Sequence, residues 1–559
     1  MRKDLINKLN RILELKQEQE LITISKEIIG SESLEQISIA ASILAQNNRT
    51  DLAIKLNKKA LSLNESYVPA IMTQGVIARM QNNFELARQS YIRALEIDPH
   101  CISAWHNLGV LSELQNKHEN AIEYYKKVSE KYLASKFRIA ICLQKQQLHQ
   151  EAVKILESIK EQDPENLTIL FALAQSQQQN NQMIAAQANF ETVILHEPEN
   201  LDAQHSLATI YTAKKQYDLA INSFIQIIKI NPNHNEALHN LASIYYFQKQ
   251  YKKALDCWLK QLVSKPDAHT NYNIGCCYLA LQKHDEAEPY LKAACNDRPN
   301  STEPIINLAS IFIKLQNWNK VIKLYQRALE IEPENQEVQY VLAAIQQTEN
   351  SFSKPPKQYV KHLFDQYADN FEHHLLDNLK YCAHKIIKDN LAENINPNRK
   401  YIIADLGCGT GLCGVECKQF SEKLIGIDLS SAMLEKAKAR KIYDSLHEQD
   451  IEEFLTNSNK LDIIIAADVM PYIGDLDLIL ERAFLALNDQ GIFIFTIETT
   501  YKEQEFHLSE SGRYQHNAEI ICTKAEKLKW TIIDTKNVVT RTQNFQPVTS
   551  CLFILKKVL

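Results

Sequence analysis

The residues best suited to chemistry begin at position 405. Asp405-Leu-Gly407-Cys-Gly409-Thr-Gly411 overlaps the end of an apolar run, YIIADL (401–406). Glycines where a strand turns into a helix let a ligand approach bare backbone, and the following helix offers free N–H donors. The spacing is GxGxG. A dinucleotide fingerprint would need its third glycine at 412, which is Leu412. Asp428 (GIDLS) lies 23 residues after Asp405, placed to hold both hydroxyls of a ribose. Asp450 (HEQDIEEF) follows 22 residues later, and then comes Asp468 (AADVMPYIGD). Asp428 or Asp450 alone would read as a helix N-cap. Together the four acids would line one crevice, because ligands bind at the carboxyl ends of parallel strands.

Those acids need a sheet to hold them. YIIADL (401–406), KLIGID (423–428), LDIIIAAD (461–468), GIFIFTIE (491–498), KWTIIDTKNVV (529–539) and SCLFILKK (550–557) read as strands. A further strand is expected just before Asp450, and helices are expected at 359–378 and 380–391. Short buried strands alternating with helices predict an α/β fold with a mostly parallel sheet, its last two strands forming an antiparallel edge.

DLGCGTG, GIDLS, the acid at 450 and the AADV segment together resemble a class I S-adenosylmethionine-dependent methyltransferase, with a Rossmann-like domain over about 352–559. The upstream FDQYADNFEHHL (364–375) is similar to the opening of small-molecule members, whose N-terminal helices close over the cofactor. The resemblance implies that Asp405, Gly407, Gly409 and Gly411 surround the methionine part of S-adenosylmethionine and that Asp428 takes its ribose. It puts Met433 near the adenine, Asp450 with the Ile451 backbone at the amino edge, and Asp468 beside the methionine or the substrate. Tyr367 and Phe371 would cover the site, although their i,i+4 spacing suits plain helix core equally well.

Transfer of an activated methyl needs mainly positioning and exclusion of water, with a base only where the acceptor carries a proton to lose. Candidate substrate-side groups are His374, Tyr472, Glu498, Arg513, Tyr514 and His516, the last three in the GRYQHN loop (512–517). AADVMPYI lacks the NPPY-like signature of enzymes that methylate DNA bases or glutamine, which disfavours base flipping.

The first 350 residues read differently. Of 12 glycines, eight fall after residue 400, as suits continuous helices with stereotyped turns before it. Pro99, Pro164, Pro198, Pro232, Pro266, Pro299 and Pro333 mark a period of 34 residues, the first interval holding two units. Each unit repeats a small residue (Gly75, Gly109, Gly275), an alanine twelve residues on (Ala87, Ala121, Ala287) and a large residue four further (Tyr91, Tyr125, Leu291). Small residues let antiparallel helices approach, and the large one fills the gap a turn away. AWHNLGVLSELQNKHENAIEYYKKV resembles the tetratricopeptide repeat (TPR), which stacks into an α-solenoid superhelix whose concave groove binds a protein or peptide partner. Asn107, Asn240, Asn273 and Asn307 recur at one position, similar to the asparagine ladder of protein O-GlcNAc transferases. Such amides could hydrogen-bond an extended peptide, though asparagine is also simply common there.

The expected organisation is a helical cap (1–33), about nine repeats with a final helix (34–350), a linker (351–358, within NSFSKPPKQ) and the methyltransferase domain (359–559). A net charge of -6 disfavours a nucleic-acid partner. No apolar run reaches membrane-spanning length and no signal segment is evident, so a cytoplasmic home with reduced thiols is expected. None of the twelve cysteines makes a CxxC pair; Cys408, Cys413 and Cys417 cluster at the glycine turn without metal spacing, and no metal is expected. The reading is a methyltransferase whose repeats recruit a protein. One alternative is a methyltransferase for a small carboxylate or quinone-like acceptor with the array as scaffold. Another is a non-enzymatic adaptor with a degenerate domain, against which the intact glycine motif counts.

Overall fold

A computed structural model describes the chain except residues 1–3, 16–17, 32, 129, 131, 349–351, 544–545 and 559. Parts of the expected N-terminal cap and of the expected linker therefore lie outside the described residues. Contacts divide the chain into two compact units, Met1–Pro266 and Asp267–Leu559.

The first unit is helical. After Asp4–Glu14 and Glu18–Gly30, seven antiparallel helix pairs run from Leu34–Gln46 and Thr50–Leu63 to Asn235–Phe247 and Tyr251–Ser264 among the described residues. The small-to-large packing is literal. A Cβ placed on Gly75 would stand 2.8 Å from Tyr91 Cδ1, and one on Gly109 would stand 2.6 Å from Tyr125 Cδ1.

Glycine is scarce here because other residues make the turns. Asn48, Asn82, Asn116, Gln147, Asn181, Lys215 and Lys249 each adopt a left-handed φ of 57° to 63° between the helices of a pair. In the first pair the Arg49 N–H reaches the Leu44 carbonyl at 2.8 Å and the Asn48 N–H reaches Ala45 at 3.0 Å, a Schellman closure. Asn116 and Gln147 stand 31 residues apart rather than 34, which accounts for the 65-residue interval between Pro99 and Pro164.

The second unit opens with two more pairs (Ala268–Ala280 with His284–Asp297, Thr302–Lys314 with Trp318–Ile331) and the single helix Gln336–Gln346. Then comes the sheet: β1 (Tyr401–Leu406), β2 (Ser421–Asp428), β3 (Ser445–Glu448), β4 (Leu461–Ala466), β5 (Leu487–Glu498), β8 (Trp530–Gln543) and β9 (Gln546–Lys557) in the order 3-2-1-4-5-9-8. Strands β1 to β5 are parallel, and β9 inserts antiparallel between β5 and β8. This is the Rossmann-like arrangement with an antiparallel edge. Leu406, Phe493, Phe495 and Phe553 pack one face, while Ile403, Ile463, Ile494 and Leu552 pack the other.

Three local expectations change. The helix expected at 359–378 is Lys357–Tyr367, then a turn, then Phe371–His373 with a π-turn at His374–Asn378. The break falls at Asp369 and Asn370, two residues of low helix propensity. Strand β8 runs past 539 to Gln543 through an irregularity at Val539/Arg541. The segment expected to be a plain loop forms a small hairpin of β6 (Phe506–Leu508) and β7 (Tyr514–His516). No helix among the described residues is long and apolar enough to cross a membrane.

Candidate functional site

A cavity of about 560 Å³ opens at the carboxyl ends of the strands. Gly407, Gly409, Asp428, Asp450 and Ile451 form one side of its wall. Gly407, Gly409 and Gly411 have φ of +60°, +54° and +90°, conformations that favour glycine. A Cβ on Gly407 would meet Val469 Cγ2 at 2.6 Å, so that glycine is needed for packing. A Cβ on Gly409 would find nothing nearer than Phe371 Cε1 at 3.7 Å, so its backbone faces open space.

Asp428 orients this cradle. Its carboxylate accepts the Gly409 N–H at 2.9 Å and the Ser430 N–H at 2.8 Å. Burial pushes its pKa up against those donors. Asp450 caps the helix Ile451–Asn457 through the Glu452 N–H at 2.9 Å, and its other oxygen faces Lys357 Nζ at 3.1 Å. Burial raises the Asp450 pKa, but Lys357 and the cap N–H groups outweigh it and leave the carboxyl below its ordinary range.

Three residues expected at the cofactor stand outside the wall. Asp405 is buried beneath the turn, where its carboxylate accepts from Tyr443 OH at 2.6 Å, and burial lifts its pKa to about 7. It braces the glycine turn instead of facing the cavity. Gly411 caps the helix Leu412–Cys417. Met433 is buried in the helix Ser431–Ala439. Cys408, Cys413 and Cys417 are all buried; burial raises the Cys408 thiol, and the Cys417 thiol together with burial raises Cys413.

The opposite wall is built on charge. Asp468, itself at φ +62°, takes Arg513 Nη2 at 2.7 Å and Arg541 Nη1 at 3.0 Å. Glu498 Oε1 takes Arg513 Nε and Arg541 Nη2, both at 2.7 Å. Arg513 Nη1 also donates to Tyr472 OH at 2.7 Å. Asp468, Tyr472, Arg513 and Arg541 line the cavity, as does His374. Glu498 stands behind the arginines.

Of the GRYQHN loop, only Arg513 lines the cavity. Tyr514 is fully buried and donates to the Phe352 carbonyl at 3.0 Å. His516 is fully buried, with Nε2 donating to the carbonyls of Ile473 at 2.8 Å and Gly474 at 3.0 Å, and burial depresses its pKa to about 4. The short hairpin explains this: in β7 alternate side chains point to one face, so Tyr514 and His516 turn inward together.

Tyr367 and Phe371 line the cavity with Phe364, the Tyr367 and Phe371 rings edge-on at 5.6 Å and Phe364 against Tyr472 at 5.2 Å. A row of charges holds this cover down. Lys354 pairs with Glu452 at 2.7 Å, Lys357 with Asp450, Lys361 with Glu448, Asp369 with Lys436 at 3.1 Å and Glu372 with Arg440 at 2.5 Å. Asp365 accepts from Ser430 Oγ at 2.5 Å.

Sequence reasoning missed Arg541, Tyr443 and this row. The signal for Arg541 was an arginine inside a buried strand; the signal for the row was a charge recurring every three or four residues. In the repeats, Asn240 Nδ2 lies 3.0 Å from His205 Nε2, and Asn307 Nδ2 donates to Tyr272 OH at 3.2 Å. One amide donor of each is thus already used by the preceding repeat. Asn107 and Asn273 are half-buried.

Comparison with known proteins agrees with this architecture. A methyltransferase-domain family model matches residues 397–545. Tetratricopeptide-repeat models match 72–132, 134–166, 201–234 and 278–345. The chain is therefore a tetratricopeptide-repeat array followed by a methyltransferase domain.

The ubiquinone biosynthesis O-methyltransferase of Pelagibacter ubique is 27% identical over 133 residues, 23% of this chain and 55% of that protein. The biotin biosynthesis bifunctional protein BioHC of Saccharophagus degradans is 32% identical over 128 residues, 22% of each chain. The chain thus spans about half of the first relative and less of the second. The solved structure of a putative S-adenosylmethionine-dependent methyltransferase from Listeria monocytogenes is 18% identical with a TM-score of 0.26, covering 31% of this chain and 96% of that one.

Proposed function

We propose that this chain is an S-adenosylmethionine-dependent methyltransferase whose repeat array recruits a protein substrate or partner. The observation that carries the reading is that the bare Gly409 backbone, the Asp428 carboxylate and the Asp450 cap stand together in one cavity at the ends of β1, β2 and β3. A cradle left open where a Cβ would stand, beside a carboxylate oriented by two backbone N–H groups, suits a nucleoside with a flexible charged tail. In this reading Gly407 and Gly409 receive the methionine part, Asp428 the ribose hydroxyls, and Asp450 with the Ile451 backbone the adenine edge. Asp405, Gly411 and Met433 support that wall from behind.

S-adenosylmethionine supplies a methyl group already activated on sulfur. The chain's own work is then to orient the acceptor and exclude water. Tyr367, Phe371 and Phe364 close the cavity from above, and Arg513, Arg541 and Tyr472 offer donors on the side facing Asp468. The missing NPPY-like signature remains an argument against nucleobase acceptors.

The array would raise the acceptor's effective concentration at the cavity. The test uses the full chain with S-adenosylmethionine carrying a labelled methyl group. Label should appear on a species retained by the repeats, and Asn240→Ala with Asn273→Ala and Asn307→Ala should weaken that retention. A labelled small molecule with retention unchanged would favour the scaffold reading, to which the names of the two curated relatives also lean.

A further inference from the structure

The acceptor side of the cavity holds more hydrogen-bond donors than its acids use. Arg513 and Arg541 line it with side chains only 10% and 5% exposed. Each guanidinium carries five N–H donors. Their partners here are Asp468, Glu498 and Tyr472, which together take five bonds. Arg541 Nε is fully buried and has no hydrogen-bond partner. The N–H groups of the two forks beyond those five bonds are left for an oxygen-rich ligand.

We infer that the methyl acceptor is a carboxylate, held by Arg513 and Arg541 and converted to a methyl ester; this rests on the methyltransferase reading above. Two further features agree with it.

The first is the shortage of a base. Asp468 and Glu498 are bound by guanidinium groups, and His516 spends its N–H on two carbonyls behind the wall. His374 remains, its ring edge-on to Tyr367 at 5.3 Å. A phenol or an amine must lose a proton during transfer, whereas a carboxylate has none to lose.

The second is charge. Asp468 and Glu498 cancel the two arginines, so the entering carboxylate balances the sulfonium of the cofactor. In the step, a carboxylate lone pair forms the O–CH₃ bond while the S–CH₃ pair returns to sulfur. A methyl ester and the neutral thioether S-adenosylhomocysteine result, and no proton moves. Planar, forked donors suit a two-oxygen head group better than a single hydroxyl.

The carboxylate could belong to a small molecule or to a protein side chain, and the test separates them. The full-length chain is saturated with S-adenosylhomocysteine and titrated by calorimetry with 4-hydroxybenzoate and its neutral counterpart 4-hydroxybenzamide. A second arm uses a glutamate-rich peptide and its glutamine counterpart. We expect the carboxylate form to bind at least tenfold tighter in one arm, which identifies the source. Arg541→Gln should erase that preference while S-adenosylhomocysteine binding stays within twofold. If that variant fails to fold, Arg541→Lys, which keeps the charge and loses the fork, should still reduce the preference.

With S-adenosylmethionine and 4-hydroxybenzoate, the transferred methyl should be released as methanol by alkali, as an ester requires. Equal binding of acid and amide in both arms, or an alkali-stable methyl ether lost with His374→Gln, would overturn the inference. Failure of S-adenosylhomocysteine itself to bind would overturn the methyltransferase reading first.

Discussion

The Tyr340 hydroxyl donates to the Gly512 carbonyl at 2.9 Å, joining the last repeat helix to the residue beside Arg513. Tyr340 is fully buried, with the rings of Tyr359 and Phe352 at 5.1 and 5.4 Å. Gln347 donates to Glu510 at 3.2 Å, and the Ser353 carbonyl accepts the Gly474 N–H at 2.8 Å. The helix Gln336–Gln346 therefore braces the loop that carries Arg513.

Tyr340→Phe removes one hydrogen bond and keeps the ring, at a cost of about 1 kcal/mol. Amide exchange in 509–514 should rise about fivefold while β1 and β4 stay protected. Unchanged exchange there would show that the loop holds itself. A fragment starting at residue 352 lacks Tyr340 and should be less stable than one starting at 267, by thermal melting.

The charged row from Lys354 to Glu372 should govern how fast the cavity opens. Exposed pairs are worth only about 0–1 kcal/mol each and are screened by salt. Together they should make release of S-adenosylhomocysteine several-fold faster in about 0.5 M salt than at low salt. Lys357→Ala with Lys361→Ala should speed release at low salt and flatten that dependence. A release rate indifferent to both would mean that the aromatic contacts alone keep the cover in place.

Two buried groups tilt stability with pH in opposite senses. His516, held neutral with a pKa of about 4, is protonated more readily in the unfolded chain. Its contribution is complete above the unfolded value near 6.5 and is lost as pH falls toward 4, amounting to about 3 kcal/mol. Asp405, raised to about 7, favours its protonated form in the fold, so its contribution is lost as pH rises from about 4 to 7. Asp405→Asn should therefore gain on the parent chain at pH 8 in denaturant melts, and His516→Gln should flatten the acid limb. Parallel curves for parent and variants would contradict both assignments.

Within the array, Gly109 faces Tyr125 so closely that a side chain there forces the helices apart. Gly109→Val should cost about 1–3 kcal/mol by overpacking. Val paired with Tyr125→Ala should recover part of the loss. If the single variant melts like the parent, the helix pair adapts more freely than this packing implies.

The fold was legible wherever a period was long or a motif was ordered. The prolines and the small-to-large positions carried the repeats, and the acids at the carboxyl ends of β1, β2 and β4 carried the sheet. What stayed hidden was set by long-range geometry. Whether Asp405 faces the ligand or Tyr443 depends on a partner 38 residues away. The inward turn of His516 depends on a three-residue strand too short to show a pattern. Arg541 reaches the cavity through the strand irregularity beside Val539, which buries Thr540 and Arg541 in succession. Alternation alone would have put one of them outside.

The central claim is that Asp428 and the Gly409 backbone form a nucleoside site, and titration tests it most directly. Calorimetry of the full-length chain with S-adenosylmethionine should give one saturable site. Asp428→Ala should weaken it about thirtyfold, near 2 kcal/mol, while the melting temperature stays close to the parent's. A folded parent chain that takes up no S-adenosylmethionine, or an Asp428→Ala variant that binds it equally well, would contradict the account.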